Sequence, residues 1–302
     1  MSFEESCEPI FAAHQTFHPR FGWLKKGVDA IRENPSAFND DLATSNLGVG
    51  KNMVEAIKFW CLAFKLIEVR DGIFRTTDFA DAFLGHGGLD PYLEDVSTLW
   101  LLHYRLISEK SLAPVWWLFF NKFSHITFDQ RRLSDFVQNE IQTSTLPRMP
   151  NRSSVEKDVD ALLRMYALKS AKARQTIEDV LDSPFRDLGL VLPVAGPNST
   201  FRLIYGKKPT LNGFVVTHSC LSFLEKQGVS SSTVSLSRLL LDENSPGLVF
   251  KIGSEAMRDY LTSFPLEGLS LVNSAGSYQL VVSKPVAELM SIARSRHYLE
   301  AQ

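Results

Sequence analysis

Cysteine is scarce in this sequence, with three residues among 302. Cys7, Cys61 and Cys220 are odd in number and far apart, and no two of them form a CxxC pair. This usage argues against a disulfide framework and against a thiolate-bound structural zinc, since both need paired cysteines. It is typical of a protein kept in a reducing cytoplasm.

Long apolar runs are also missing. The most apolar stretch, Leu112 to Phe123, is too short to span a bilayer and contains Pro114 and Lys122. The N-terminal stretch MSFEESCEPI is acidic and lacks the apolar segment of a signal peptide. The sequence therefore predicts a soluble cytoplasmic protein with no membrane partner.

An excess of charge of either sign is absent too. Lys and Arg number 32 and Asp and Glu number 34, which gives a formal net charge of -2. Because nucleic-acid-binding proteins attract phosphates with positive charge, any DNA contact here needs a local basic patch on a near-neutral body. The GxxxxGK[ST], GxSxG, kinase and Rossmann motifs are also absent, so no common catalytic motif is present.

The first third of the chain contains a helix-turn-helix pattern. Residues 23–34 favour a helix that ends before Pro35, and a short helix reaches Ser45. Gly48 and Gly50 then predict a turn, and a longer helix begins at Lys51. Its apolar side chains recur three or four residues apart, which indicates one buried stripe. The stripe comprises Met53, Ile57, Trp60 and Phe64.

A β-hairpin is predicted next, because Asp71-Gly72 separates two short β-prone runs. Such a hairpin after a helix-turn-helix indicates a winged helix, in which the second helix enters the major groove and basic side chains reach phosphates. The predicted DNA contacts are Lys51, Asn52, Lys58, Arg70 and Arg75. The alternative is a helical pair used only for packing or for protein contacts.

Residues 90–145 favour aromatic-rich helices, and residues 146–154, with two prolines, favour a boundary. The aromatic side chains could stack on unpaired bases, but a core or dimer-interface position is favoured. They are Trp100, Trp116, Trp117, Phe119 and Phe120. An amphipathic helix over 153–169, capped by Ser153 or Ser154, follows the boundary.

Residues 183–282 contain strand-like runs (FRLIY, GLVFKI and SYQLVV) among helical ones, in an order that resembles a second winged helix. We therefore predict a mainly α fold with small antiparallel β-sheets, in which two winged helix-turn-helix-like units are joined by a helical middle region. The predicted domains are residues 1–89, 90–150 and 151–302.

Two polar clusters are candidate sites. His14 and His18 could bind a metal on a helix, but Pro19 argues against a helix there and no acidic third ligand is near. An acid–base or phosphate-contacting role for His14 stands beside a role as a hydrogen-bonding strut. Asp40 and Asp41 could hold magnesium, although capping of the helix that follows is favoured.

Several segments resemble the SspB-like family of bacterial Ssp DNA phosphorothioation systems. The two most specific pieces are the N-terminal signature HxTFxxRxGWLxK and the LGVGKNM turn. The segments are FAAHQTFHPRFGWLKKG (11–27), LGVGKNMVEAIKFWC (47–61), DSPFRDLGLV (182–191), PGLVFKIGSEAMRDYL (246–261) and LSLVNSAGSYQLVV (269–282). They keep the expected order over most of the chain.

This resemblance implies a part in replacing a non-bridging phosphate oxygen of DNA with sulfur, and in phage defence. It implies that the protein nicks DNA and works with a cysteine desulfurase, an ATPase and a sulfur-transfer protein. On that basis His14 takes an acid–base role, and Arg20 and Lys26 contact the scissile phosphate. A divalent metal, Mg²⁺ or Mn²⁺, is the candidate cofactor. Gln15 departs from the glutamate usual in the family, which would weaken catalysis if that glutamate were a ligand or base.

Two other functions remain open. The first is a non-catalytic DNA-recognition subunit or transcriptional regulator, which the near-neutral charge and the lack of an acidic cluster favour. The second is an assembly scaffold that binds proteins through its helices and aromatic side chains. The aromatic middle region makes a homodimer a candidate assembly, which the sequence alone does not fix.

Overall fold

The helices begin where capping side chains or prolines provide a start signal. Five capping residues each accept a hydrogen bond from a backbone N–H in the first turn of the following helix. They are Thr77, Asp95, Asp129, Asn212 and Ser245. Pro114 and Pro246 occupy the first helical positions, where a missing N–H costs nothing.

The computed structural model describes residues 3–108, 110–146, 148–167, 183–196, 199–228 and 233–299. The helices are α1 (Phe3–Ser6), α2 (Trp23–Glu33), α3 (Ala43–Leu47), α4 (Lys51–Ala63), α5 (Asp78–Leu84), α6 (Val96–Ile107), α7 (Pro114–Asn121), α8 (Gln130–Gln142), α9 (Arg152–Tyr166), α10 (Gly213–Lys226), α11 (Leu236–Leu241), α12 (Pro246–Phe250), α13 (Ser254–Ser263) and α14 (Val286–Tyr298). The strands are β1 (Ile67–Arg70), β2 (Ile73–Thr76), β3 (Thr127–Asp129), β4 (Val191–Val194), β5 (Thr200–Leu203), β6 (Thr233–Ser235), β7 (Leu269–Ser274) and β8 (Ser277–Val282). A 3-10 helix spans Pro184–Leu188. These elements confirm the predicted mainly α fold with small antiparallel sheets.

The region from α2 to β2 follows the predicted order of helices, glycine turn and hairpin. Gly48 ends α3 in the left-handed conformation with φ of 62°, which a residue without Cβ adopts without strain. In the hairpin, Asp71 and Gly72 both have positive φ, 53° and 75°, as a two-residue turn between twisted strands requires. Ile57, Trp60 and Phe64 of the predicted stripe are buried, and Met53 is half-buried.

Two three-stranded antiparallel sheets lie in the later part of the chain. Their strand orders are β3–β5–β4 and β6–β8–β7. In both, the strand that comes last in the sequence is central, and helices separate the first two strands. The first sheet pairs Phe128 of β3 with Phe201 of β5, so it joins residues on both sides of the predicted boundary at 150. The division into three domains remains a prediction, as do the winged-helix units.

The run GLVFKI was expected to be a strand, and the structure corrects this. Residues Pro246–Phe250 form helix α12, because Ser245 caps the helix and Pro246 fixes its first φ angle. Lys251 then ends the helix with φ of 54°. Helix α9 begins one residue before the predicted caps, after Asn151. Positions 168 and 169 of that predicted helix lie outside the described residues.

Helices α6 and α7 form the centre of the core, where they pack on α9, α10, α12 and the 3-10 helix. The predicted aromatic side chains belong to this core, since Trp100, Trp116, Trp117, Phe119 and Phe120 are each at most 1% exposed. They are therefore not accessible to unpaired bases or to a partner subunit. The homodimer was predicted because these aromatic side chains could form an interface. Since they are buried in the core, they no longer support a homodimer, which stays a prediction.

The three cysteines are buried, and each is a free thiol. Burial raises the pKa of each thiol above its ordinary value, which keeps the thiolate form scarce. None of the helices in the described part of the chain is both long enough and apolar enough to cross a membrane.

Candidate nucleic-acid interface and N-terminal signature

The N-terminal end of α4 presents two of the predicted DNA contacts. Lys51 and Asn52 are exposed in the first helical turn, directly after the extended residue Gly50. Gly50 provides no side-chain cap for the first turn of α4, which begins with the exposed Lys51. Such a helix end attracts phosphate through its dipole and its N–H donors.

The remaining predicted contacts carry ion pairs or lie on the hairpin. Nζ of Lys58 lies 3.0 Å from Oε2 of Glu55, one helical turn earlier. Arg70 is exposed and pairs with Glu68 at 2.6 Å. Arg75 is exposed and stands opposite Glu68 in the β1–β2 register. Phosphate binding at these positions would therefore compete with carboxylates of the same surface.

Lys26 joins the N-terminal signature to the end of α3. Its Nζ donates to the carbonyl oxygen of Leu47 at 2.8 Å, at the last residue of α3. A surface cavity of about 440 Å³ lies at this junction, lined by residues that include Lys25, Asn46 and Tyr92. The structure thus places Lys26 beside the turn that precedes Lys51.

The capping expected of the acidic pair before α3 is not seen, because Leu42 is the N-cap of α3 and no side chain caps this helix. Oδ1 of Asp40 accepts a hydrogen bond from the N–H of Leu42 at 2.8 Å, and Asp41 is exposed. The described residues contain no group of three or more His, Cys, Asp and Glu side chains that could hold a metal ion. No residue is therefore assigned to the candidate divalent metal.

His14 lies in the core and not on the surface. It is 1% exposed, and its Nε2 lies 2.6 Å from Oδ1 of Asp158 on α9. The ring stacks on Trp60 at 5.8 Å and meets Trp116 edge-on at 5.7 Å. The same carboxylate oxygen accepts from the N–H of Ala12 at 2.9 Å. These contacts match the alternative that His14 is a hydrogen-bonding strut, and its acid–base role stays a prediction.

The loop around His14 has an unusual backbone. Ala12, Gln15 and Thr16 have φ angles of 57°, 51° and 68°, which cost residues with Cβ about 1–2 kcal/mol each. The turn conformation also explains why His14 and His18 do not share a helical face. The carbonyl oxygen of Thr16 accepts a hydrogen bond from Nη2 of Arg164, so α9 holds both ends of this turn.

Arg20 lies beyond this turn, with its guanidinium carbon 5.7 Å from the ring centroid of Phe17 and 5.4 Å from that of Trp23. The three predicted catalytic residues thus occupy different surroundings. His14 contacts α9 and the core, Arg20 stacks on aromatic rings, and Lys26 contacts the last residue of α3.

Sequence reasoning missed three residues that organise the signature, namely Asp158, Arg164 and Arg186. Asp158 has a signal in the sequence, because it lies on the apolar side of α9 beside Val155 and Val159, all of them buried. Arg186 belongs to the segment DSPFRDLGLV that carries part of the family resemblance.

Comparison with known proteins agrees with this architecture. The family described as "Protein of unknown function (DUF4007)" matches residues 11–298. The magnesium ion-bound SspB crystal structure is similar with a TM-score of 0.90 and 32% sequence identity, and the match covers 99% of this chain and 90% of that chain. Another SspB crystal structure gives a TM-score of 0.89 and 33% identity, with 98% and 90% covered. No curated protein matches the chain.

The matched residues and the fold define a mainly helical protein built on small antiparallel sheets. The chain belongs to the DUF4007 family. Its whole described architecture is similar to that of SspB, so the resemblance predicted from the signature segments is confirmed.

Proposed function

We propose that the chain is a cytoplasmic DNA-binding component of a bacterial Ssp phosphorothioation system and that it nicks DNA before sulfur is incorporated. The observation that carries this proposal is the similarity to SspB along nearly the whole chain, at a TM-score of 0.90 and 32% identity. The partners in this role are a cysteine desulfurase, an ATPase and a sulfur-transfer protein.

The helix-turn-helix supports DNA binding through its exposed basic edge. Lys51 and Asn52 are exposed at the N-terminal end of α4, where base edges and phosphates are contacted in helix-turn-helix folds. Arg70 and Arg75 on the hairpin would contact phosphates beside the groove, together with Lys58. Because these contacts are electrostatic, affinity should fall steeply as salt is raised.

Nicking requires water to attack phosphorus, the new P–O bond to replace one bridging P–O bond, and a proton to reach the leaving oxygen. Arg20 and Lys26 are proposed to stabilise the charge that develops on the phosphate. His14 is proposed to act on the site through the loop that it holds with Asp158. A related SspB is magnesium-bound, so a divalent cation is included in the proposal, with no step assigned to it.

A non-catalytic recognition subunit is the second candidate. The burial of His14 favours it, since a side chain that is 1% exposed does not reach a phosphodiester without a change of structure. In this case the same helix-turn-helix selects sites, and a partner protein cuts the DNA.

The first experiment is a supercoiled-plasmid nicking assay with purified protein, with Mg²⁺, with Mn²⁺ and with EDTA. Nicked circles that require the metal and disappear in Arg20→Gln and Lys26→Gln support the nickase. Intact plasmid under all conditions, together with a gel shift, supports the recognition subunit. Nicking that is equal in wild type and both variants would point to a contaminating nuclease.

The second experiment measures duplex affinity by fluorescence anisotropy over a salt series. Lys51→Ala with Lys58→Ala should flatten the slope of log K against log salt by up to about 0.9 for each DNA phosphate that the protein no longer neutralises. Lys207→Ala, an exposed lysine paired with Asp259 in another part of the chain, serves as the control. An equally weakened affinity in the control, or full affinity in the double variant, would contradict this interface.

A further inference from the structure

Arginines from distant parts of the sequence meet the N-terminal signature. Nη2 of Arg164 donates to the carbonyl oxygen of Thr16 and lies 2.9 Å from Oδ2 of Asp160. Arg186 in the 3-10 helix donates from Nε to the carbonyl oxygen of Arg164 at 3.1 Å. Arg20 follows in the signature itself. Three guanidinium groups are thus gathered around one loop, and all three are half-buried.

His18 is a buried residue of the same loop. The side chain is 5% exposed, and neither ring nitrogen has a hydrogen-bond partner among the described residues. Burial lowers the pKa of His18 to about 3, and nearby positive charges contribute to that shift. The charges that lower it belong to Arg164, Arg186 and Arg20, and that of Asp160 raises it. The ring is therefore neutral at pH 7, and the charges of three guanidinium groups act on it.

We propose that this cluster, the signature arginine site (Arg20, Arg164 and Arg186 around His18), binds a phosphate group. The inference shares Arg20 with the proposed function and goes beyond it, since it requires neither the DNA contacts of α4 nor nicking. The phosphate can be free inorganic phosphate or one phosphodiester of a DNA strand, because both present the same tetrahedral oxygens.

The chemistry of the cluster fits phosphate in two respects. Guanidinium groups present planar forks of N–H donors that match phosphate oxygens, and several forks can act on one tetrahedral anion. The bonds to Thr16 and Asp160 fix Arg164 in advance, so less side-chain entropy is lost on binding. Nε of Arg164 is buried and has no hydrogen-bond partner within the described ranges, so the group keeps donor capacity.

A buried polar group without a partner costs about 1–3 kcal/mol, and both the His18 ring and Nε of Arg164 carry this cost. A bound anion would lower it by accepting hydrogen bonds and by balancing the guanidinium charges. This is the physical reason why the site should gain more from phosphate than an exposed pair of lysines would.

The test is histidine-selective ¹⁵N NMR on the full chain, in which the His18 ring signals are assigned by their disappearance in His18→Gln. Inorganic phosphate and the dinucleotide dTpdT are titrated separately. We expect the His18 signals to shift, and Arg164→Gln and Arg186→Gln to weaken binding by at least about tenfold. Arg186→Lys keeps the charge but lacks the fork, so it should lie between wild type and Arg186→Gln. Arg258→Gln is the matched control, because that arginine donates a hydrogen bond to Tyr278 on β8, outside the proposed site.

Shifts with both probes support a site that accepts a phosphodiester, and shifts with inorganic phosphate alone support a site for free phosphate. The absence of any His18 shift, or equally weakened binding in Arg258→Gln, would overturn the proposal. Arginine variants that fold, as thermal melting shows, and still bind like wild type would also overturn it. Failure of the proposed DNA-binding function would appear separately, as unchanged duplex affinity in the Lys51 and Lys58 double variant.

Discussion

Nε2 of His14 lies 2.6 Å from Oδ1 of Asp158, although 144 positions separate the two residues in the sequence. The contact is buried, and it ties the N-terminal signature to the middle of α9. Burial raises the pKa of the Asp158 carboxyl group, and the hydrogen bond from His14 opposes that effect. Each residue therefore stabilises a polar partner that has no contact with water.

Asp158→Ala should lower the free energy of unfolding by about 3 kcal/mol, because it leaves His14 and the N–H of Ala12 buried without their acceptor. Urea denaturation measures the change. Glu156→Ala is the matched control on the same helix, since that exposed carboxylate pairs with Arg152 at the surface, and it should cost less than about 1 kcal/mol. An Asp158→Ala protein as stable as wild type would remove the structural role assigned to this pair.

Gly27→Ala should destabilise the packing of α2 on α4. A methyl group at Gly27 would lie 2.4 Å from Sγ of Cys61 and 2.9 Å from Cγ2 of Ile57. Such overpacking costs about 1–3 kcal/mol, which urea denaturation would detect. Adding Cys61→Ala should recover part of that stability. Gly196→Ala, where nothing lies within 4 Å of the new Cβ, is the control, and an equal destabilisation there would contradict the packing argument.

Two buried lysines should make stability depend on pH. Nζ of Lys251 donates to the carbonyl oxygen of Phe120 at 2.7 Å, and Nζ of Lys208 donates to that of Gly206 at 2.8 Å. Burial lowers the pKa of both to about 7 from 10.5, and the charge of Lys208 adds to the effect on Lys251. At pH values between about 7 and 10.5, these two lysines are protonated in the unfolded chain and largely deprotonated in the folded chain. Stability should therefore rise with pH above about 7 and decrease as pH falls toward it.

The measurement is urea unfolding of wild type and Lys251→Met between pH 7 and 9, below the ordinary pKa of the buried thiols, which is 9.0. Each lysine contributes a slope of at most ~1.4 kcal/mol per pH unit, so the slope should be smaller in Lys251→Met. The exposed Lys207→Met is the control. Identical slopes in wild type and Lys251→Met would show that Lys251 does not titrate in this window.

Glu55→Gln should strengthen DNA binding if the proposed interface is right. Glu55 pairs with Lys58 at 3.0 Å and also repels phosphates. Removing its charge should raise duplex affinity a few-fold at low salt and less at high salt, because exposed charges are screened. Glu267→Gln changes the same charge at an exposed residue paired with Lys284 and should leave affinity unchanged. Fluorescence anisotropy distinguishes these outcomes.

Local signals made the first third of the fold predictable from the sequence. The spacing of Ile57, Trp60 and Phe64 identified the buried side of α4, and Asp71-Gly72 identified the hairpin. In both cases the information lies within a few residues, as helical periodicity and turn chemistry require. The prediction of a strand at 247–252 was wrong because it followed the β-prone side chains and neglected the helix start at Ser245 and Pro246.

The candidate site was less predictable, because its parts come together only through tertiary packing. The partner of His14 lies on α9, and the arginines that act on His18 come in part from Arg164 and Arg186. Sequence spacing says nothing about such pairs when more than a hundred residues separate them. The aromatic middle region shows the reverse case, since its composition favoured a core or dimer-interface position and its side chains form the core.

The left-handed turn at Ala12, Gln15 and Thr16 has a consequence for protein engineering. Its strained backbone is held from outside, by Asp158 at the N–H of Ala12 and by Arg164 at the carbonyl oxygen of Thr16. A peptide of residues 11–27 would relax to other conformations once separated from α9. A chimera that transplants residues 11–27 must therefore include α9 as a second segment, because α9 holds the turn in place.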